Sequence, residues 1–514
     1  MSTTAAAPAR RRVRTAPTEC PKVPVLPALR ERVEAVALEA VNHVLDCFEG
    51  GKLPTCAAAF QSLEERLLGV AQEHVVGPVV GAVLAALHEH EQFVLWSMRV
   101  AREREQSGRL VGRGDRTVTV TVAGGGEVAL KTPYMEALPP ASKPGPRRAP
   151  GTRGKGGAGL YPVLAGLGFV LRTSPYVTLR TARMATLVDS YQEARETLVG
   201  EGIRMDEKAI SGVVERVGDA GLFDREHPVA GLEAKFLAGK RVMVCVDGGR
   251  LRYRLEKTGR RRKSGHHGFD APWREPKVLA IYLLDERGKK TDDPPIYEGT
   301  LAPWEDAATL IASTLTRFGA REATVLAFAA DGSDNIWRHV DAIVAAAGVA
   351  PEKVVRFVDF YHALEHLHDA AKLVLPWSEQ QRQQWVKKQA KRLRRGRVAQ
   401  VEAALQELAV TDSEALAKEV AYFHERLDLM RYDQLRARGL PLGTGAVESA
   451  IRRVVNLRLK GTGIFWEPAN AERMLYLRCR LKAGRWDEVE RALHRSALTP
   501  ARGQVPSVLE RLTV

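Results

Sequence analysis

Paired cysteines are missing from this sequence. Its five, Cys20, Cys47, Cys56, Cys245 and Cys479, are odd in number and scattered, and none forms a CxxC pair. That excludes a disulfide framework and a cysteine zinc ribbon, and it suits reduced, mostly buried thiols. Long hydrophobic runs are absent too, since no stretch reads as long enough to cross a bilayer. The arginines at positions 10, 11, 12 and 14 are not followed by the apolar core of a signal peptide. The expectation is a soluble protein of the cytoplasm or nucleoid with no membrane partner. Acidic charge is in deficit. Lys and Arg number 77 against 62 Asp and Glu, a net charge of +15. Such a balance suits an anionic polymer, most plausibly nucleic acid.

With 514 residues the chain has room for several domains. Residues 1–27, rich in Ala, Pro and Arg, read as a disordered basic tail. Apolar residues at helical spacing near 29–47, 57–70 and 79–104 predict an N-terminal helical domain over 28–110. Residues 111–136 read as a β-hairpin, in which Thr117–Val122 alternates strictly, Gly124–Gly126 turns, and Glu127–Lys131 returns. Residues 137–158 are a Pro/Gly/Arg/Lys linker, including a Gly151–Gly157 stretch that lacks the phosphate-loop pattern. Residues 159–235 read as helical. Leu179–Val199 is expected as one helix and Asp206 as the start of another, with Gly200-Glu-Gly202 between them, which allows a helix-turn-helix DNA-binding domain.

From 236 the texture becomes α/β. The run Val242–Val246 predicts a strand covered on both faces, ending on Asp247, with Gly248-Gly249 turning the chain away. Further strands are expected at Leu251–Leu255, Lys277–Leu284, Ala323–Ala330 (ending on Asp331) and Lys353–Val358 (ending on Asp359), with helices over 303–318 and 333–347. Three early strands followed by helix, strand, helix and strand is the order a ribonuclease-H-like core requires. No GxGxxG follows the first strand, which rejects a dinucleotide fold. Residues 375–440, basic around Lys387-Lys388 and Lys391–Arg395, read as an all-helical insertion. Residues 441–514 complete the core and add C-terminal helices.

Asp247 and Asp331 end strands and precede glycine, and Glu448 opens a helix. Three carboxylates without cysteine suit Mg2+ or Mn2+, and two-ion phosphoryl transfer needs such acids converging on ions roughly 4 Å apart. Trp273, Trp337 and Trp466 could stack on a base, but core is the better expectation for each. The run Arg260, Arg261, Arg262 and Lys263 reads as a DNA-backbone contact.

Four stretches carry a resemblance. Asp331-Gly-Ser-Asp-Asn-Ile-Trp337, Val358-Asp-Phe-Tyr-His-Ala-Leu-Glu-His366, Gly443-Thr-Gly-Ala-Val-Glu448-Ser and Arg458-Leu-Lys-Gly-Thr-Gly-Ile-Phe-Trp466 resemble bacterial insertion-sequence transposases. The similar group is the ISKra-type, DDE enzymes related to the Mutator-like lineage. The likeness is best over 240–485, with a weaker echo at 160–220. It implies an RNase-H-like catalytic core interrupted by a helical insertion, and metal-dependent cleavage of element ends followed by strand transfer into target DNA. It implies Asp247, Asp331 and Glu448 as catalytic acids holding two Mg2+ or Mn2+ ions, with Asp359 and His362 as an accessory pair beside them. Asp359 also ends a strand and is the alternative second acid; the Asp-Gly context favours Asp331. Arg452, Arg453, Arg458 and Lys460 join the expected DNA contacts. Implied partners are double-stranded DNA and a second copy of the chain. One departure is that related proteins often carry a cysteine zinc element after the hairpin, and this chain has none.

Competing expectations are a transposase-derived DNA-binding protein without catalysis, and an RNase-H-fold nuclease without strand transfer. A third is metalloprotease chemistry from His362-Ala-Leu-Glu365-His366, an H-x-x-E-H string whose histidines share a helix face. His366 and His368 read more simply as packing or surface residues.

Overall fold

The computed structural model describes residues 19–25, 27–48, 57–104, 109–138, 159–228, 235–255, 257–258, 268–332, 334–408, 414–496 and 506–512. Most of the expected tail, most of the expected linker, Cys56, and the basic run Arg260, Arg261, Arg262 and Lys263 lie outside the described residues. The chain divides into two compact units, 1–220 with 490–505, and 221–489 with 506–514. It is a mixed α/β protein.

The first unit begins with helices α1 (Pro27–Asp46), α2 (Ala57–Val70), α3 (Gly77–Glu89) and α4 (Glu91–Arg104). A π-turn over Ala71–Val76 joins α2 to α3 without a break. One correction follows. The continuous helix Ala59–Glu89, 31 residues, is long and apolar enough by length and composition to cross a bilayer, where the sequence reading found no such run. No single apolar stretch announces it, because Gln72-Glu73-His74 interrupts the sequence at the π-turn. In this structure its Leu84 packs against the hairpin of β1 (Arg109–Thr121) and β2 (Glu127–Leu138), in a cluster with Val118, Val120, Val122 and Leu130. The hairpin pairs Thr121 with Glu127 around Gly124 and Gly125, both at positive φ. Gly125 has no substitute, since a Cβ there would lie 1.8 Å from the Gly202 carbonyl oxygen.

After the short α5 (Pro162–Gly166), the segment expected as one helix is two, α6 (Pro175–Leu187) and α7 (Tyr191–Gly200). Ser190 accepts from the Glu193 N–H at 3.0 Å while the Glu193 carboxylate accepts from the Asp189 N–H at 3.1 Å. This S-x-x-E capping signal starts a new helix inside an unbroken apolar period. Asp206 caps α8 (Glu207–Glu226) by accepting from Ala209 N–H. The outward positions of α8 include Glu207, Lys208 and Arg216, a mixed-charge face.

The second unit is built on a five-stranded sheet. Its strands are β3 (Arg241–Gly248), β4 (Lys277–Leu284), β5 (Ile296–Thr300), β6 (Val325–Ala330) and β7 (Val354–Val358), in the order β5-β4-β3-β6-β7. β4 runs antiparallel to β3, β5 antiparallel to β4, and β6 and β7 run parallel to β3. Val242, Val244 and Val246 pack in one cluster with Ile311 and Leu315 of α9 (Trp304–Arg317) and with Ile343 and Val344 of α11 (Val340–Ala346), beyond the one-turn α10 (Asp334–Trp337).

The third early strand is not where the sequence placed it. Leu251–Leu255 lies outside the sheet, with Arg252 and Arg254 exposed, and a strand inside a doubly covered sheet cannot carry two unpaired arginines. Ile296–Thr300 takes the place instead. It escaped notice because it is short and carries Glu298, which is buried against Arg480 of α18 (Pro468–Lys482).

Helices α12 (Phe360–Leu373), α13 (Glu379–Arg394), α14 (Val398–Leu408), α15 (Glu414–Glu425) and α16 (Tyr432–Ala437) follow β7, and α12 packs on α13 and α15. The segment is docked on the sheet, with Tyr432 donating its hydroxyl to the Val358 carbonyl at 3.1 Å and Arg241 donating to the carbonyls of Arg438 and Gly439. Helix α17 (Gly445–Ile451) then returns to pack on β3 and β4.

Candidate active site

Register places the acids. Val246 pairs with Ala330 across the parallel β3–β6 ladder, and Ala330 pairs with Val358 of β7. The next residue on each strand is Asp247, Asp331 and Asp359, so three adjacent parallel strands deliver three carboxylates to one sheet end. Glu448 comes from α17, which rests on β3 and β4, and its side chain is exposed. Asp247 and Asp331 are half-buried.

Asp247 senses its neighbours. Burial is the main cause that pushes its carboxyl up to about 6, and the charges of Asp331 and Glu448 add to it. Donation from the Gly248 N–H to Asp247 Oδ1 at 2.7 Å, and the nearby His362, act the other way without winning. Like charges near a partly buried carboxylate favour either a proton or a cation there.

Asp359 has a different occupation. It is 3 % exposed and caps α12, with Oδ1 accepting from the N–H groups of Tyr361 and His362. Its Oδ2 accepts from both the N–H and the hydroxyl of Thr444. Both oxygens are committed to the protein, so Asp359 positions His362 and the Gly443–Gly445 turn that starts the helix of Glu448. Thr444 lies within a motif already singled out, but its role depends on a contact across 85 residues.

The helical insertion supplies a wall that the sequence did not signal. The Tyr422 ring lies against Gly332, where a Cβ would stand 2.1 Å from it, and Arg426 donates Nε–H to the Gly332 carbonyl at 2.6 Å. Burial pushes the Tyr422 hydroxyl above its usual range. His366 stacks on the same ring at 3.6 Å and holds Glu419 at 2.7 Å, while His368 is exposed. His362 and His366 lie 4.9 Å apart between ring centroids, but His366 is engaged with Tyr422 and Glu419.

Among the described residues, no three His, Cys, Asp or Glu side chains already stand close enough to hold one ion together. The chemistry of the donor set nonetheless fits a hard divalent cation, since Asp247, Asp331 and Glu448 offer carboxylate oxygens only. No family model, curated protein or solved structure matches this chain.

The basic residues divide by exposure. Arg452 and Lys460 are exposed. Arg453 is half-buried and donates to the Tyr297 hydroxyl at 2.5 Å. Arg458 is 5 % exposed with its guanidinium 5.1 Å over the ring of Trp466, so it is a packing residue rather than a surface cation. Trp466 is buried and Trp337 half-buried, as core residues should be, but Trp273 is 48 % exposed. A core position for Trp273 is therefore corrected: it sits in a two-residue strand on an arm outside the sheet.

Proposed function

We propose that this chain is a DNA strand-cleaving and strand-joining enzyme of the Asp-Asp-Glu type, built on an RNase-H-like core interrupted by the α13–α16 insertion. The observation that carries the reading is the register that ends two neighbouring parallel strands on Asp247 and Asp331 at one sheet end, with the helix of Glu448 packed on β3 and β4. The strand order β5-β4-β3-β6-β7, antiparallel then parallel, supports it, since that core orders its strands this way. The engagement of both Asp359 oxygens favours Asp331 as the second acid and leaves Asp359 and His362 as accessory residues. The substrate is double-stranded DNA, consistent with the net charge of +15 and with exposed Arg452 and Lys460 in the segment that follows Glu448. A homodimer would bring two DNA ends together.

Two Mg2+ or Mn2+ ions held by Asp247, Asp331 and Glu448 would make an attacking water or 3′-hydroxyl acidic and neutralise charge at the phosphorus. The chain's own part is to hold the carboxylates aimed. Asp247 is kept rigid by β3 and by the Gly248 N–H. Glu448 is kept in place by α17 and by the Thr444–Asp359 clasp. Tyr422 and Arg426 fix the turn after Asp331.

The test is nicking and cutting of supercoiled and linear DNA with Mg2+, Mn2+ or EDTA, comparing wild type with Glu448→Gln. Metal-dependent cleavage that vanishes in the variant is expected. Cleavage that persists removes Glu448 from the site, and DNA binding without any cleavage by wild type would favour a catalytically silent binding protein. Joined products with a target duplex separate a transposase from a nuclease.

A further inference from the structure

We propose that the arm following Asp247 is a stacking platform for unpaired DNA bases beside the cleaved strand. This deepens the strand-cleavage reading and rests on it for its location, though not for its chemistry. Three residues past Asp247 the chain reads Arg250-Leu-Arg-Tyr-Arg254. Leu251 and Tyr253 are buried and the three arginines are exposed, so the alternation of an extended chain puts all three guanidinium groups outward. Leu251–Arg252 pairs with Trp273–Arg274, and Tyr253 bridges to Trp466, which anchors the arm on both sides.

On this arm the cations and rings alternate. The Arg252 guanidinium lies 4.6 Å over Trp273 and 5.9 Å from Phe465. Phe465 meets Phe269 edge-on at 4.9 Å, and Arg254 lies 4.8 Å over Phe269. Such a ladder could serve only to stiffen the arm. Two features go beyond that. Trp273 closes the ladder with nearly half its surface open, where a purely structural indole would be covered. Among the described residues the exposed charges here are Arg250, Arg252, Arg254 and Arg274 against Asp270 and Glu275, a surplus of cations around a half-exposed ring.

Arg252 covers one face of Trp273, and the part of the indole left exposed, beside guanidinium groups, suits a base with its phosphate. It accepts any base, because every base has a π-face, and it needs a strand whose bases are not already stacked in a duplex. Unpaired nucleotides next to a cut are such a strand. Single-stranded DNA is therefore the ligand assigned to the arm.

The test uses the full chain in EDTA, so that cleavage plays no part, with fluorescence anisotropy of a labelled oligo-dT and of a duplex of equal length. Trp273→Ala is expected to weaken oligo-dT binding about tenfold, the scale of one base–aromatic stack, and to change duplex binding less than about twofold. Trp273→Phe should keep most of the affinity. Trp273→Leu should behave like the alanine variant, since it restores bulk without a π-face. Arg252→Gln should reduce the salt dependence by about 0.7 in log–log slope. Unchanged oligo-dT affinity in both Trp273→Ala and Trp273→Leu overturns the proposal, as does equal loss for oligo and duplex. Failure of wild type to cut DNA while these binding differences hold would sink the strand-cleavage reading and leave the platform standing.

Discussion

The second unit holds two gatherings of acids that differ in their partners. At the sheet end the Asp247 carboxyl is pushed up to about 6 by burial first, and by the charges of Asp331 and Glu448 after it. Behind β5, Glu298, Glu472 and Glu488 are more deeply buried, yet each faces arginine. Arg480 pairs with Glu298 and stands 2.9 Å from Glu488, and Arg225 holds Glu472 at 3.0 Å. Burial alone would raise Glu488, but Arg480, Arg317 and Arg485 prevail and bring it down to about 2. The lesson is that burial does not decide what an acid is for. An acid answered by arginine is held below its usual range, and one near other acids is held above it, which in the proposed function suits a cation.

Removing a member of each gathering should separate them. Asp247→Asn should reduce metal-dependent DNA cleavage at least about a thousandfold, on the scale of lost preorganised electrostatic stabilisation. In EDTA the variant should melt no lower than wild type, because it relieves repulsion. A variant that unfolds early would place Asp247 with the structural acids and break the comparison.

Arg480→Met should act in the opposite way. It leaves Glu298 and Glu488 buried beside fewer cations, a loss of about 3–5 kcal/mol in urea unfolding. Stability within about 1 kcal/mol of wild type would show that the network behind β5 is not holding the fold.

The two sites also predict opposite responses to pH. Asp247 binds its proton more tightly folded than unfolded, so its contribution is full below about pH 4 and is lost as pH rises through about 6, by up to roughly 3 kcal/mol. Glu488 binds its proton less tightly folded, so its contribution is present above about pH 4.5 and is lost as pH falls towards 2. Thermal melts of wild type and Asp247→Asn in EDTA should diverge between pH 4 and 6. Parallel curves across that range would contradict the crowding at Asp247.

The smallest effect concerns the wall. Gly332→Ala drives a methyl group into the Tyr422 ring and should cost about 1–3 kcal/mol, with Tyr422→Leu recovering part of it. No recovery in the double variant would mean that the insertion does not press on the Asp331 turn.

Much of the site could be read in advance because strand ends leave a strong mark. Val242–Val246 and Ala327–Ala330 are apolar runs that stop on aspartate before glycine, and both become central strands with those aspartates at one end. What could not be read depends on partners far away in the chain. Glu298 looks polar and exposed until Arg480 is placed against it. The Leu251–Leu255 run looks like a sheet strand until Arg252 and Arg254 are seen to need solvent and rings. The break at Ser190 was legible as a capping box but was hidden by an unbroken apolar period.

The sequence by itself determined the α/β texture of 236–374, the identities of the acids and the positive charge, because each is written in local runs and composition. Only the tertiary structure decided which acids meet. Parallel pairing sets Asp331 at the same sheet end as Asp247, Thr444 occupies Asp359, Arg480 of α18 claims Glu298 and Glu488, and Arg225 of α8 claims Glu472. The physical reason is that a carboxylate's role depends on the charge and solvent around it, and for Asp247, Asp359 and Glu298 the deciding neighbours lie about 80 or more positions away, which no local pattern encodes.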